Sequence, residues 1–77
     1  MQKSTHIQDL FLSRARRSRA NVTMFLTNGY QLRGTIAGFD QFVVVLMSEG
    51  KQQIIYKHVI STITPERPIS LEEPPAE

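Results

Sequence analysis

Val22-Thr23-Met24-Phe25-Leu26-Thr27-Asn28-Gly29-Tyr30-Gln31-Leu32-Arg33-Gly34-Thr35-Ile36 holds two β-type runs around an Asn-Gly pair. β-Branched, aromatic and aliphatic residues dominate both runs, and Asn-Gly between such runs is the strongest short-range hairpin signal. The pattern predicts strands at about 22–27 and 30–38, joined by a type I′ turn with φ > 0 at Asn28 and Gly29. Such a turn sets Thr27 opposite Tyr30 and Phe25 opposite Leu32 on one face, leaving Met24, Leu26, Gln31 and Arg33 on the other. Neither face is cleanly polar, so both are expected to meet something besides bulk water. Gly34 and Gly38 punctuate the second strand where a small barrel has to bend.

Downstream, residues 42–47 form a continuous apolar run, and the pattern predicts strands at about 42–48, 51–57 and 59–64, with Pro65 as the stop. Upstream, Thr5-His6-Ile7-Gln8 fits a capping box and opens a helix over about 6–18, with Asp9 expected in its first turn. Ile7, Leu10, Phe11 and Ala15 share one arc of that helix, and Arg14 falls within it, its stem along apolar surface and its head reaching outward. The fold class is therefore mainly β: an N-terminal α-helix, then a strongly bent five-stranded antiparallel barrel. So small a sheet leaves open edges and an apolar strand with no water-facing side. Pairing subunit edges around a closed ring solves both problems, with 42–47 and 52–56 expected at those edges.

Length and composition narrow the possibilities. Seventy-seven residues make one domain with a marginal core, and with no cysteine the usual supplement left is oligomerisation. Two histidines far apart suggest no metal site, and no pattern suggests a cofactor. No apolar run is long enough for a membrane span, and the first twelve residues lack a signal peptide's apolar block, which reads as a cytoplasmic protein. Residues 1–64 carry a net charge of +5 (eight Lys/Arg against three acids), and between Asp9 and Asp40 stand five arginines and no acid. That imbalance points to a polyanion partner, nucleic acid foremost. Residues 1–4 are expected to be a flexible start, and 66–77, with all four remaining acids, a flexible acidic tail.

The order of motifs resembles the bacterial Hfq branch of the Sm/LSm family over roughly residues 5–67. It is carried by Ile7-Gln8-Asp9 with Phe11-Leu12, Phe25-Leu26 with Asn28-Gly29, Leu32-Arg33-Gly34, Phe39-Asp40-Gln41-Phe42, and Tyr56-Lys57-His58 with Ile60-Ser61-Thr62. Glu49-Gly50-Lys51-Gln52-Gln53 and Tyr30-Gln31-Leu32-Arg33 look closest to the Gram-positive type. The resemblance implies a homohexameric ring acting as an RNA chaperone, in which small regulatory RNAs meet messenger RNAs, with proteins of RNA turnover as further partners. It implies a proximal pore for U-rich RNA at Gln8, Gln41, Phe42, Tyr56, Lys57 and His58. It implies a distal face for A-rich RNA at Phe25, Leu26, Gly29, Tyr30, Gln31, Leu32, Gln53 and Thr62, and a basic rim at Arg16, Arg17 and Arg19 with Phe39 nearby. Aromatic stacking, amide contacts to base edges and unbalanced arginines suit that chemistry independently.

Two other readings compete. An enzyme would need a nucleophile-base set, a phosphate-binding loop or a metal cluster, and the chain supplies only His58 as a plausible participant. A structural Sm-like scaffold acting mainly through protein contacts would use the acidic tail, but leaves the Tyr56-Lys57-His58 signature and the arginine run without a purpose.

Overall fold

A computed structural model describes residues 3–71, with side chains from Ile7 onward. It comprises α1 (Lys3–Ser18), β1 (Asn21–Leu26), β2 (Gln31–Phe39), β3 (Val43–Ser48), β4 (Lys51–Tyr56), a 3-10 turn at Lys57–Val59 and β5 (Ile60–Pro65). The strands form one antiparallel sheet in the order β4-β3-β2-β1-β5. The helix-then-five-strand reading holds, and the bent sheet is open between β4 and β5. The apolar β3 is not a subunit edge, as the sequence suggested, because β2 and β4 pair with both its sides.

The first hairpin differs from expectation by one residue. Phe25 lies opposite Gln31 and Met24 opposite Leu32. The Gly29 N–H donates to the Leu26 carbonyl at 2.9 Å, and the Leu26 N–H to the Tyr30 carbonyl at 2.9 Å. Only Gly29, at φ +92°, is left-handed here; Asn28 is not. This is a three-residue loop, a type I turn closed by a glycine bulge, rather than a two-residue type I′ turn. The Asn28 side-chain oxygen accepts from the Tyr30 N–H at 3.0 Å, an Asx contact that competes with the primed turn. The two consecutive left-handed residues of a type I′ turn occur instead at Glu49 (φ +52°) and Gly50 (φ +79°), between paired Ser48 and Lys51.

The register decides the faces. Val22, Met24, Ile36, Val44, Leu46 and Ile55 point inward and, with Leu12 and Ala15 of α1, form the core. The helix contributes Leu12 rather than Ile7, which is 52% exposed. Two features bend the sheet. A Cβ at Gly34 would collide with the Met47 carbonyl oxygen, so β2 and β3 approach closely there. Ala37 is skipped where the β2–β3 register shifts between Ile36 and Gly38, a bulge that adds local twist.

The helix begins at Lys3, so Thr5 lies within it rather than capping it, Lys3 and Ser4 belong to its first turn, and Asp9 sits in the second. At its other end Ala20 N–H donates to the Ala15 carbonyl at 3.1 Å and Arg19 N–H to the Arg16 carbonyl at 3.2 Å, with Arg19 left-handed at φ +55°. This is a Schellman closure with arginine where glycine is usual. Residues 66–71 are not a loose tail. The Arg14 guanidinium donates to the Ser70 carbonyl at 2.7 Å, and Ile69 packs against the core. The acids at 72, 73 and 77 lie outside the described residues.

Gly34→Ala should destabilise the fold by at least about 1–3 kcal/mol, since backbone rather than a flexible side chain opposes the new methyl. Gly38→Ala, whose Cβ meets nothing within 4 Å, should cost less. Urea denaturation of both variants checks the difference.

Candidate nucleic-acid interface

Four groups of side chains reach the surface. At the C-terminal end of β2, Asp40 accepts from the Phe42 N–H at 2.8 Å and the Val43 N–H at 2.9 Å. These bonds, first that from Phe42, with Lys57 adding a smaller charge effect, hold the Asp40 carboxyl below its ordinary range. The turn is thus held above the ordinary carboxylate pKa and released as pH falls through the lowered one. Asp40 so presents Phe42, 66% exposed, with Gln41 beside it. Sequence reasoning gave Asp40 no role, although Asp two residues before an exposed aromatic is itself an Asx-turn signal.

The Lys57 N–H donates to the Phe42 carbonyl at 2.8 Å, which brings Tyr56, Lys57 and His58 alongside Phe42. The Tyr56 and His58 rings lie 5.9 Å apart. The Lys57 ammonium sits 4.0 Å from Asp9 and 5.8 Å from the Phe39 ring centre. Gln8 and Lys57 line one cleft of about 290 Å³ between α1 and β5, with Ile7, Phe11, Ile60 and Leu71. Five of the six expected pore residues therefore gather around one short turn, Gln8 faces the cleft beside Lys57, and Phe39, expected near the rim, lies beneath Lys57.

At the other end of β2 the expected group divides. Gln31, Phe25 and Thr62 lie in one row across β2, β1 and β5, on the outward face. Tyr30, 69% exposed, and Gly29 stand at the loop beside it. Leu26 and Leu32 are half-buried and pack against the core. Gln53 lies opposite fully buried Leu46, and its side-chain oxygen is buried with no hydrogen-bond donor among the described residues. Such an orphan acceptor costs about 1–3 kcal/mol until something donates to it.

The arginines also differ from one another. Arg16 Nε donates to the carbonyl of the bulged Ala37 at 3.1 Å, fixing that guanidinium against β2. Arg14 is engaged with Ser70. Arg17 and Arg19 are exposed and have no partner among the described residues. Arg19 carries its charge at the strained cap position. Arg19→Gly should therefore stabilise the fold by about 1 kcal/mol, while flattening the salt dependence of polyanion binding. Parallel thermal melts and salt titrations check the opposed signs.

Known proteins resemble this chain over most of its length. The family model described as "Hfq protein" matches residues 7–70. The "RNA-binding protein Hfq" of Brevibacillus brevis is 55% identical over 71 residues, 92% of this chain and 90% of the relative. That of Clostridium acetobutylicum is 55% identical over 73 residues, 94% and 90% of the two chains. A crystal structure of "the pleiotropic translational regulator, Hfq" superposes with a TM-score of 0.74 at 48% identity, covering 75% of this chain and 97% of that one. With a family match across most of its length and relatives above half identity, this chain belongs to the Hfq family of Sm-like proteins.

Proposed function

We propose that the protein is an RNA-binding post-transcriptional regulator, an RNA chaperone acting as a homohexameric ring in the cytoplasm, with no enzymatic step of its own. The observation that carries this reading is the placement of exposed aromatics with polar neighbours at opposite ends of β2. Phe42 and Tyr56 stand beside Gln41, Lys57 and His58 at one end, and Phe25 and Tyr30 beside Gln31 at the other. The relatives' printed name, RNA-binding protein, supports it.

Each group suits single-stranded RNA differently. Around Phe42 a small base stacks while Gln8 and Gln41 reach its edge and Lys57 and His58 meet phosphate or a terminal hydroxyl, which we assign to U-rich segments. Across Phe25 and Tyr30 purines stack, and the unsatisfied Gln53 oxygen offers an acceptor to an exocyclic amine, which we assign to A-rich segments. Thr62 and Gln31 flank that stack; Leu26, Leu32 and Gly29 shape its floor and rim. Arg16, Arg17 and Arg19 lower the repulsion between two RNAs that pair, small regulatory RNA with messenger RNA.

The two open sheet edges support the ring. Ile54 and Tyr56 are 62% and 58% exposed on edge strand β4, and the α1–β5 cleft beside the other edge is mostly apolar. In the proposed ring, β4 of one subunit lies against β5 of the next. Ile54→Lys should leave the subunit folded but shift a hexameric native mass toward monomer; a variant that stays hexameric speaks against this edge.

Oligo-U and oligo-A titrations test the two faces. Phe42→Ala should weaken oligo-U several-fold and spare oligo-A, and Phe25→Ala should do the reverse, since base–aromatic stacking is worth about 1–3 kcal/mol per base. Equal losses for both ligands would refute the two-face assignment. A scaffold acting through proteins would bind neither oligonucleotide with steep salt dependence.

A further inference from the structure

The chain does not leave the domain where β5 stops. The Glu66 N–H donates to the Asn21 carbonyl at 2.8 Å, and the Asn21 side-chain amide donates back to the Glu66 carboxylate at 3.4 Å. Further on, the Arg14 guanidinium donates to the Ser70 carbonyl at 2.7 Å, and Ile69 packs against the core just before it. Leu71 then lines the cleft between α1 and β5 together with Ile7, Phe11, Gln8 and Lys57. Residues 66–71 are thus a strap, tied at both ends, that runs back along α1 from its C-terminal end toward Ile7.

That course bears on Lys57. Its side chain is only 18% exposed, enclosed between the Phe39 ring and the cleft. Asp9, more than half exposed, stands 4.0 Å from the ammonium, too far for a hydrogen bond and close enough to attract it. A lysine stem has many rotamers of similar energy, so the surrounding walls decide where its head points. We propose that the strap is one of those walls and that Arg14 is a positioning residue for the Phe42 group. Through Ser70 and Leu71 it keeps the cleft closed, and a closed cleft keeps the Lys57 ammonium directed at the Phe42 turn instead of falling back on Asp9. The proposal deepens the U-rich reading of that group and rests on it. Arg14 touches no RNA in this role and acts only through packing. Linkage makes the effect reciprocal: a closed strap favours oligo-U, so oligo-U favours the closed strap by the same factor.

The experiment measures oligo-U and oligo-A affinities of the full-length protein across a salt series, and the rate of cleavage after Glu66 by a glutamate-specific protease. Arg14→Ala and Leu71→Ser should each weaken oligo-U several-fold, spare oligo-A, preserve the salt slope and speed cleavage. Arg14→Lys, which keeps a donor of similar reach, should restore oligo-U binding. In the wild type, oligo-U should slow cleavage and oligo-A should not. The proposal is overturned if Arg14→Ala weakens both oligomers alike with a shallower salt slope, the mark of a phosphate contact. It is equally overturned if Leu71→Ser leaves oligo-U binding intact, if Arg14→Lys binds oligo-U as weakly as Arg14→Ala, or if oligo-U leaves cleavage after Glu66 unchanged. Phe42→Ala separates the two readings. If it leaves oligo-U unchanged, the U-rich reading fails; if it weakens oligo-U while Leu71→Ser does not, only the strap fails.

Discussion

Strand β2 runs nine residues across the molecule, pairing with β1 on one side and β3 on the other, and it cannot do both without bending. The bend rests on the contact of the Gly34 backbone with the Met47 carbonyl, which excludes every side chain at that position. Three residues later the bulge at Ala37 completes the turn and offers its carbonyl to Arg16. The core sits inside this curve, with Met24 and Leu46 fully buried. Close approach at Gly34 and the bulge at Ala37 together curve the sheet around the core, and the bulge carbonyl also holds α1 through Arg16.

The same curvature distributes charge. Arg16 and Arg14 spend part of their hydrogen-bonding capacity on backbone carbonyls at Ala37 and Ser70, so they fix the helix and the segment after β5 as well as carrying charge. Among the described residues, Arg17 and Arg19 have no such partner. A run that looks uniform in one dimension becomes two anchored cations and two available ones. Lys57 is likewise shared, between Asp9 and the Phe39 ring, so it reaches the surface on a constrained path. Anchored cations contribute orientation, and mobile ones contribute long-range attraction with little geometry.

A sheet that ends in β4 and β5 presents two strand edges, and β4 adds exposed Ile54 and Tyr56. Natural proteins seldom leave such edges bare. The small core adds to the need for a partner, since a chain of this size buries too little apolar surface to be comfortably stable alone. Edge geometry and core size thus point the same way, toward assembly.

The order of elements was legible in the sequence because each rests on local periodicity: a 3.6-residue stripe in α1, alternating or fully apolar runs in the strands, and turn residues between them. The motifs at Phe39-Asp40-Gln41-Phe42 and Tyr56-Lys57-His58 were enough for the family resemblance that the comparisons bear out. What sequence could not supply was any choice among near-equal local alternatives. Asn28-Gly29 serves a two-residue or a three-residue loop about equally well, and pairing along the whole of β1 selected the latter, moving Phe25 from Leu32 to Gln31. Arg19 and Glu49 carry no signal of a left-handed backbone; helix closure and hairpin twist impose it on them. Nor does a charge count reveal that Arg33 and Glu49 line one cleft, because the close approach at Gly34 brings together two segments sixteen residues apart. Local propensity determined the elements; long-range packing decided register, faces and which charges remain free.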